Sequence, residues 1–230
     1  MRNIAKILGA LVLVLGATVL LTPVVHFKGS TVLAHMVPSP CDFTTGGGWI
    51  LIPNGTAFGD ASLPESGAKA NFGLVGGCKN GGFFGHVNYV DHNNGLHVSS
   101  TEILGYFDPT PPSKIRDICG TARTNLLGNV FFRVRTIDAE QQPTPPPKDK
   151  FGIKLIGQNP DGSSSGQARY IVEVRCLADG RPAFFLGACG NVNPGGGDIE
   201  LHKPNRSTTG PSVPPSEFQA CGGDDSGLFE

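Results

Sequence analysis

Charged residues are scarce in this sequence, and no segment concentrates positive charge. Asp, Glu, Lys and Arg together make up 16% of the chain, and 18 basic residues nearly cancel 19 acidic ones. Proteins that bind nucleic acid need a concentration of positive charge facing the phosphate backbone. The composition therefore predicts no nucleic-acid partner.

Long amphipathic helices are also missing. Beyond residue 25, no segment repeats its apolar residues with the 3.6-residue period of a helix. The chain has 33 glycines and 19 prolines, which interrupt helices and favour tight turns. Its 14 phenylalanines supply the side chains of a substantial core, which a disordered chain lacks. The composition predicts one folded domain built from short strands.

Apolar residues recur instead at every second position, as expected for half-buried strands. This alternation occurs in segments 68–74, 130–135, 153–155, 170–176 and 198–202. Asp179 and Gly180 predict a hairpin turn, because this dipeptide accepts the positive φ of a type I′ turn. We therefore predict an all-β fold, an antiparallel β-sandwich of the jelly-roll or immunoglobulin-like kind, with a barrel as the alternative.

Residues 1–34 are predicted to be a signal peptide or an N-terminal anchor. Arg2 and Lys6 lead into the uncharged, mostly apolar segment 7–25. No A-x-A cleavage pattern follows directly, and the segment is close to the roughly 20 residues that span a bilayer, so cleavage and anchoring both stay open. We expect a secreted or cell-surface protein, which contacts a membrane only through this segment if the segment is not cleaved.

Composition divides the rest of the chain into three regions. Residues 35–45 are predicted to be a linker, 46–203 the β-sandwich domain, and 204–230 a flexible tail rich in Pro, Ser and Gly. Within the domain, the prolines of segment 140–150 cannot donate ladder hydrogen bonds, so this segment is expected to form an extended loop.

All the cysteines follow the apolar segment. The six disulfide candidates are Cys41, Cys78, Cys119, Cys176, Cys189 and Cys221. An even number in an exported chain predicts three disulfides. Cys41 and Cys221 bracket the domain and are expected to join its ends. The predicted turn at 179–180 leaves Cys176 and Cys189 out of register, so each is expected to have another partner, and the pairing as a whole stays open.

Three histidines lie close together in the sequence. If Asn94 and Gly95 are the two residues of a hairpin turn, His92 faces His97 with their Cβ atoms about 5 Å apart. His86 then lies roughly 20 Å further along its strand. Zinc takes its ligands at about 2 Å, so no three-histidine metal site is predicted. The preferred interpretation is that these histidines face solvent on a polar strand face, and a metal at His92 and His97 would need a third ligand.

No catalytic residue, cofactor site or metal site is predicted. Segment 162–166 matches G-x-S-x-G, but it lies in a polar loop rather than at a turn from a strand into a helix. The glycines at 195–197 precede a strand, so they lack the helix N-terminus that a phosphate site needs. Asp179, Asp198 and Glu200 lack a spacing that favours acid and base roles.

Several short blocks occur in the order and spacing of the post-COAP family of exported bacterial domains. The blocks are Gly46-Gly47-Gly48-Trp49-Ile50, Ala70-Asn71-Phe72-Gly73, Gly85-His86, Tyr89, Asp91-His92, Gly95-Leu96, Val98, Ser100-Thr101, Ile103, Gly120-Thr121-Ala122, Phe132, Val134, Asp138, Asp149, Phe151, Ile153, Leu155 and 196–202. The chain resembles this family over residues 46–203. The resemblance implies a secreted or surface-attached β domain and implies no reaction, because no activity is established for the family.

This chain departs from the family pattern in two places. Asp138 is followed by Ala139, Glu140 and the proline-rich segment, where family members carry a short Asp-Asn-Gly-Glu-Pro-Gly-like connection. An ion or ligand site built on that connection is therefore not carried over to this chain. The region 156–195 is also longer than in the family and contains Cys176 and Cys189.

Three functions of different class are compatible with the sequence. The favoured one is a non-catalytic exported domain with a structural, adhesive or surface-attachment role, whose partner would be a cell-surface or extracellular polymer. The alternative is a carbohydrate- or small-ligand-binding module, in which Trp49 is the strongest stacking candidate and His92 and His97 are weak ligand candidates. A metal-dependent hydrolase that uses His92, His97 or His202 is disfavoured by the distances.

Overall fold

Nine antiparallel strands contain most of the residues that the computed structural model describes, which are 35–52, 68–139, 149–177 and 196–223. In chain order they are β1 (Phe43–Ile52), β2 (Ala68–Lys79), β3 (Gly82–Asp91), β4 (Leu96–Phe107), β5 (Ile115–Thr124), β6 (Gly128–Ile137), β7 (Lys150–Gln158), β8 (Ser164–Cys176) and β9 (Gly197–His202), and they precede one short helix, α1 (Glu217–Ala220). They form one sheet in the order β8-β7-β6-β5-β4-β3-β2-β1-β9. The predicted all-β antiparallel class is confirmed, and the sheet is strongly curled into a half-barrel.

The inner face of the curled sheet holds the core. Alternate residues of the strands point inward, and the largest fully buried side chains of this core include Tyr89, Tyr106, Phe132, Phe151 and Tyr170. Phe72 of β2 stacks on Phe151 of β7 with 4.0 Å between ring centroids. These two strands are far apart in the sheet order, so the curl folds the inner face onto itself. Each such buried ring contributes about 1.5–3 kcal/mol relative to an exposed one.

Two carboxylates hold the edge of β9 that faces away from β1. The Ile199 amide donates to Asp149 at 2.6 Å, and the Leu201 amide donates to Asp138 at 3.1 Å. Asp149 also accepts from the amide of Ala139 at 2.9 Å. Edge amides of a sheet need partners, and these two aspartates supply them from the end of β6 and the start of β7. We call this pair of carboxylates the edge clasp.

The disulfides correct one prediction. Cys41 is bonded to Cys78 and Cys221 to Cys119, so the expected bond between Cys41 and Cys221 is wrong. The pairing of β1 with β2 explains this, because Phe43 lies opposite Gly77 and brings the two neighbouring cysteines together. Cys176 is disulfide-bonded as well. Cys189 lies outside the described residues, as does the predicted turn at 179–180.

The turn between β3 and β4 corrects a second prediction. Asp91 pairs with Leu96, so the turn has four residues, 92–95, rather than two. The carboxylate of Asp91 accepts the Asn93 amide at 2.8 Å, and the side chain of Asn94 accepts the Leu96 amide at 2.8 Å. These local bonds compete with a tight two-residue turn. His92 therefore does not face His97.

The predicted regions at the ends of the domain can be compared with the strands. Strand β1 begins at Phe43, within the predicted linker 35–45, and helix α1 lies within the predicted tail 204–230. The predicted loop 140–150 falls mostly on residues 140–148, which lie outside the described part of the chain. In the ranges described, we find no helix with the length and apolar character needed to cross a membrane.

Candidate functional site

The three ligand candidates from the sequence lie on the outward side of the sheet. Trp49 of β1 pairs with Asn71 of β2, Asn71 pairs with Val90 of β3, and Val90 pairs with His97 of β4. Because directly paired residues point to the same side, these four side chains form a row across four strands. His92 joins the row, since its Nε2 is hydrogen-bonded to Asn71 Oδ1 at 2.7 Å.

A lysine covers one side of the indole in this row. The Nζ atom of Lys69 lies 4.3 Å from the centroid of the Trp49 ring. Trp49 is half-buried, whereas Lys69 is exposed. A cation over an aromatic face is held by the ring quadrupole and keeps its hydrogen-bond donors available. The pair therefore places a positive charge directly over one face of an apolar ring.

A second aromatic cluster lies at the other end of the same strands, and the sequence did not predict it. Phe43 stacks on His202 with 4.3 Å between centroids and lies 6.1 Å from Phe84. The Nζ atom of Lys79 is 5.9 Å from the centroid of Phe84. Gly77 lies between the two phenylalanines in the register, and a Cβ there would approach Phe43 Cβ to 2.3 Å. Phe43 and Trp49 are an even number of positions apart in β1, so the sequence alone could have placed both rings on the same side of the strand.

Small and polar side chains separate the two aromatic clusters. Gly47 of β1, Gly73 of β2 and Asn88 of β3 lie side by side in the register. A Cβ built on Gly73 would meet nothing within 4 Å, so the space above it is open. We call the outward side of β1–β3, from Trp49 and Lys69 to Phe84 and Lys79, the outer face.

A shallow depression adjoins the outer face. It has a volume of about 350 Å³ and is lined mainly by residues of β3, β4 and β5, among them Asn88, His97, Ser99, Arg123 and Asn125. The side chain of Asn125 links the end of β5 to the start of β4 at the depression. It accepts a hydrogen bond from the His97 amide and donates one to the Gly95 carbonyl, both at 2.8 Å. The surface of the depression is mostly apolar, and amide, hydroxyl, imidazole and guanidinium groups border it.

One cluster on the opposite half of the sheet has the residue types of a metal site. Ligand atoms of His35, Asp117 and Glu217 lie within 4.8 Å of one another. The guanidinium of Arg133 lies among them and donates to both carboxylates at 2.6 Å. Arg135 donates to Asp117 as well, at 2.7 Å. An arginine thus supplies the positive charge that a metal would bring.

The electrostatics of this cluster agree with a structural ion-pair network. Burial alone would raise the pKa of Asp117, but the charges of Arg133 and Arg135 hold it well below its usual range. Asp117 is completely buried, and Arg133 and Arg135 are nearly so. Breaking such a network by removing one partner is strongly destabilising. We interpret the cluster as a stabilising element rather than a metal centre.

Two further sets of buried polar groups are hydrogen-bonded among themselves. Arg116 donates to both carboxylate oxygens of Asp42, at 3.1 and 2.6 Å, and Tyr106 donates to Asp42 at 2.7 Å. In the core, Tyr170 donates to Asp91 at 2.8 Å and bonds the hydroxyl of Tyr89 at 2.6 Å. Burial raises the pKa of Tyr89, Tyr106 and Tyr170 well above the usual value.

The histidines of the disfavoured hydrolase hypothesis do not converge. His202 is hydrogen-bonded to Thr45 at 2.7 Å and lies opposite Phe43, whereas His92 follows the far end of β3 beside Lys69. Trp49 lies six positions after Phe43 along β1, which corresponds to about 20 Å. His92 and His202 are therefore too far apart to share one metal ion.

No family model, curated protein or solved structure matches this chain.

Proposed function

We propose that this chain is a non-catalytic exported domain that attaches to a polymer at the cell surface or outside the cell. The outer face carries this proposal, because it presents two aromatic–lysine pairs on one continuous sheet. Binding sites of this kind combine apolar rings with a few placed polar groups. The export segment 1–34 and the resemblance to the post-COAP family are the sequence arguments for the same function.

The disulfides support an extracellular setting. Such bonds form and persist in oxidising compartments and are rare in the cytosol. Two bonds join described cysteines, Cys41 to Cys78 and Cys119 to Cys221. They tie the start of β1 and the end of helix α1 to the sheet, which suits a domain that works outside the cell.

For the finer architecture we favour the barrel over the sandwich. A single continuous order of nine strands, rather than two facing sheets, supports this choice. The contact of Phe72 with Phe151 and the edge clasp both bridge strands that are distant in that order. A curled sheet whose inner face closes on its own side chains corresponds to a small barrel with a filled interior.

Sedimentation with surface material tests the attachment function. The exported protein is mixed with washed surface material from the cells that produce it, and the bound and free fractions are measured at low and high salt. We expect most of the protein in the pellet at low salt. A protein that stays in the supernatant under all conditions would contradict the proposal.

A further inference from the structure

We propose that the outer face binds an acidic polysaccharide, with the Lys69–Trp49 and Lys79–Phe84 pairs as its two contact points. This inference rests on the attachment function proposed above and names its ligand class. It follows from the spacing of the two pairs, from the chemistry of the surface between them and from the distribution of charge.

The spacing of the pairs requires an extended ligand. Trp49 lies opposite Asn71 and Phe84 lies opposite Gly77, so the two rings are six residues apart along β2. A strand rises about 3.3 Å per residue, which places the rings roughly 20 Å apart. A single sugar cannot contact both, whereas an oligosaccharide segment can lie along the strand.

The surface between the rings suits a chain rich in hydroxyl groups. Asn71, His86 and Asn88 point outward there and offer both donors and acceptors. Gly47 and Gly73 keep the centre low, and the space above Gly73 is open. Sugars present an apolar ring face and a hydroxyl edge, which match an aromatic ring flanked by amide groups.

Charge favours an acidic chain over a neutral one. The outward positions of β1–β3 hold Lys69 and Lys79 and no Asp or Glu. Among the residues that the structure describes, neither lysine forms an ion pair, so both ammonium groups can meet a ligand carboxylate. Asp198 and Glu200 are exposed on β9, beyond β1. An acidic polymer is therefore expected to follow β2 and β3, away from β9.

Binding to defined polymers tests the assignment. The whole exported protein is measured against polygalacturonate and alginate as acidic probes, and against dextran and laminarin as neutral ones, by affinity electrophoresis and interferometry. We expect binding to the acidic polymers that weakens with salt, and at least about tenfold weaker binding to the neutral ones. Trp49→Ala and Phe84→Ala should each raise Kd about tenfold.

Control variants distinguish binding at the outer face from a general effect of losing an exposed cation or an exposed aromatic residue. Lys69→Gln and Lys79→Gln, which change only exposed side chains, should together remove most of the acidic preference. Arg169→Gln on β8 and Phe218→Ala on α1 change an exposed cation and an exposed aromatic elsewhere, and both should bind like the unchanged protein. All variants are first compared by their unfolding midpoints.

Three results would overturn the assignment. These are equal binding of acidic and neutral polymers, unchanged binding by the Lys69→Gln and Lys79→Gln double variant, and no polymer binding by a protein that still sediments with surface material. The last result leaves the attachment function intact. Failure in both the polymer and the sedimentation assays removes both proposals.

Discussion

At the scale of single residues, buried carboxylates perform two opposite electrostatic roles. Asp117 lies against two guanidinium groups, and Asp149 is buried among backbone amides and near other carboxylates. The first environment stabilises the charge and the second opposes it. Neither role was visible in the sequence, because both depend on which strands lie side by side.

Removing the charge of Asp117 should destabilise the fold strongly. Asp117→Asn leaves the buried guanidinium groups of Arg133 and Arg135 without the carboxylate that both contact. We expect the free energy of unfolding to fall by about 3–5 kcal/mol. Denaturant unfolding measures the change. Asp161→Asn is the control, since Asp161 is exposed and should change stability by less than about 0.5 kcal/mol.

Asp149 should make the folded state less stable as the pH rises, which is the opposite of the effect of Asp117. Burial raises its pKa to about 6, with Asp198 and Asp138 adding to the rise, although the amides of Ala139 and Ile199 lower it. Its pKa in the unfolded chain is about 3.9. The folded state therefore binds the proton more tightly, so the stability that protonation of Asp149 contributes is present at low pH and is lost as the pH rises through 6.

The matching experiment compares the wild type with Asp149→Asn between pH 5 and 7. The stability of the wild type relative to the variant should fall by about 1 kcal/mol over this range. Urea unfolding at several pH values provides the numbers. Parallel curves for the two proteins would contradict the prediction. Asp117 does not interfere, because its lowered pKa makes its contribution disappear only below about pH 4.

At the scale of elements, the β3–β4 hairpin shows that the residue pattern predicted which side of the sheet each side chain faces but not how the two strands pair. Val87, Tyr89, Leu96 and Val98 point inward and His92 and His97 are exposed, as the alternation predicted. The register was wrong by two residues. A shift of two leaves every side chain on its side of the sheet, so the face could be predicted without the pairing.

Helix α1 depends on its disulfide. Four residues are too few for a helix to be stable alone, and Cys221 ties this one to Cys119 of β5. Replacing both cysteines by serine should lower the free energy of unfolding by about 4–5 kcal/mol, because the bond spans 102 residues. The same replacement at Cys41 and Cys78, which span 37 residues, should cost about 1 kcal/mol less.

Thermal or denaturant unfolding of both double variants tests this order. Hydrogen exchange at Ala220 and Cys221 adds a local measurement, which should accelerate only when the Cys119–Cys221 bond is removed. An equal loss in both variants, with unchanged exchange at α1, would argue against the loop-length explanation.

At the scale of the whole molecule, the candidate site was partly predictable. Trp49, His92 and His97 were candidates from the sequence, and the structure places them on one side of the sheet. The cluster of Phe43, Phe84 and His202 was not anticipated. These residues are far apart in the chain, and they meet only because β9 and β2 pair with opposite edges of β1.

The sequence by itself determined the strand class, the inward and outward sides of the strands and the capacity for disulfides. These properties follow from local patterns, since side chains alternate along a strand whatever its partner is. Only the tertiary structure decided the pairing of the cysteines, the length of the β3–β4 turn, the edge clasp and the 20 Å spacing of the two aromatic–lysine pairs. Those features depend on which distant strands become neighbours, and that choice is made by the packing of the whole core.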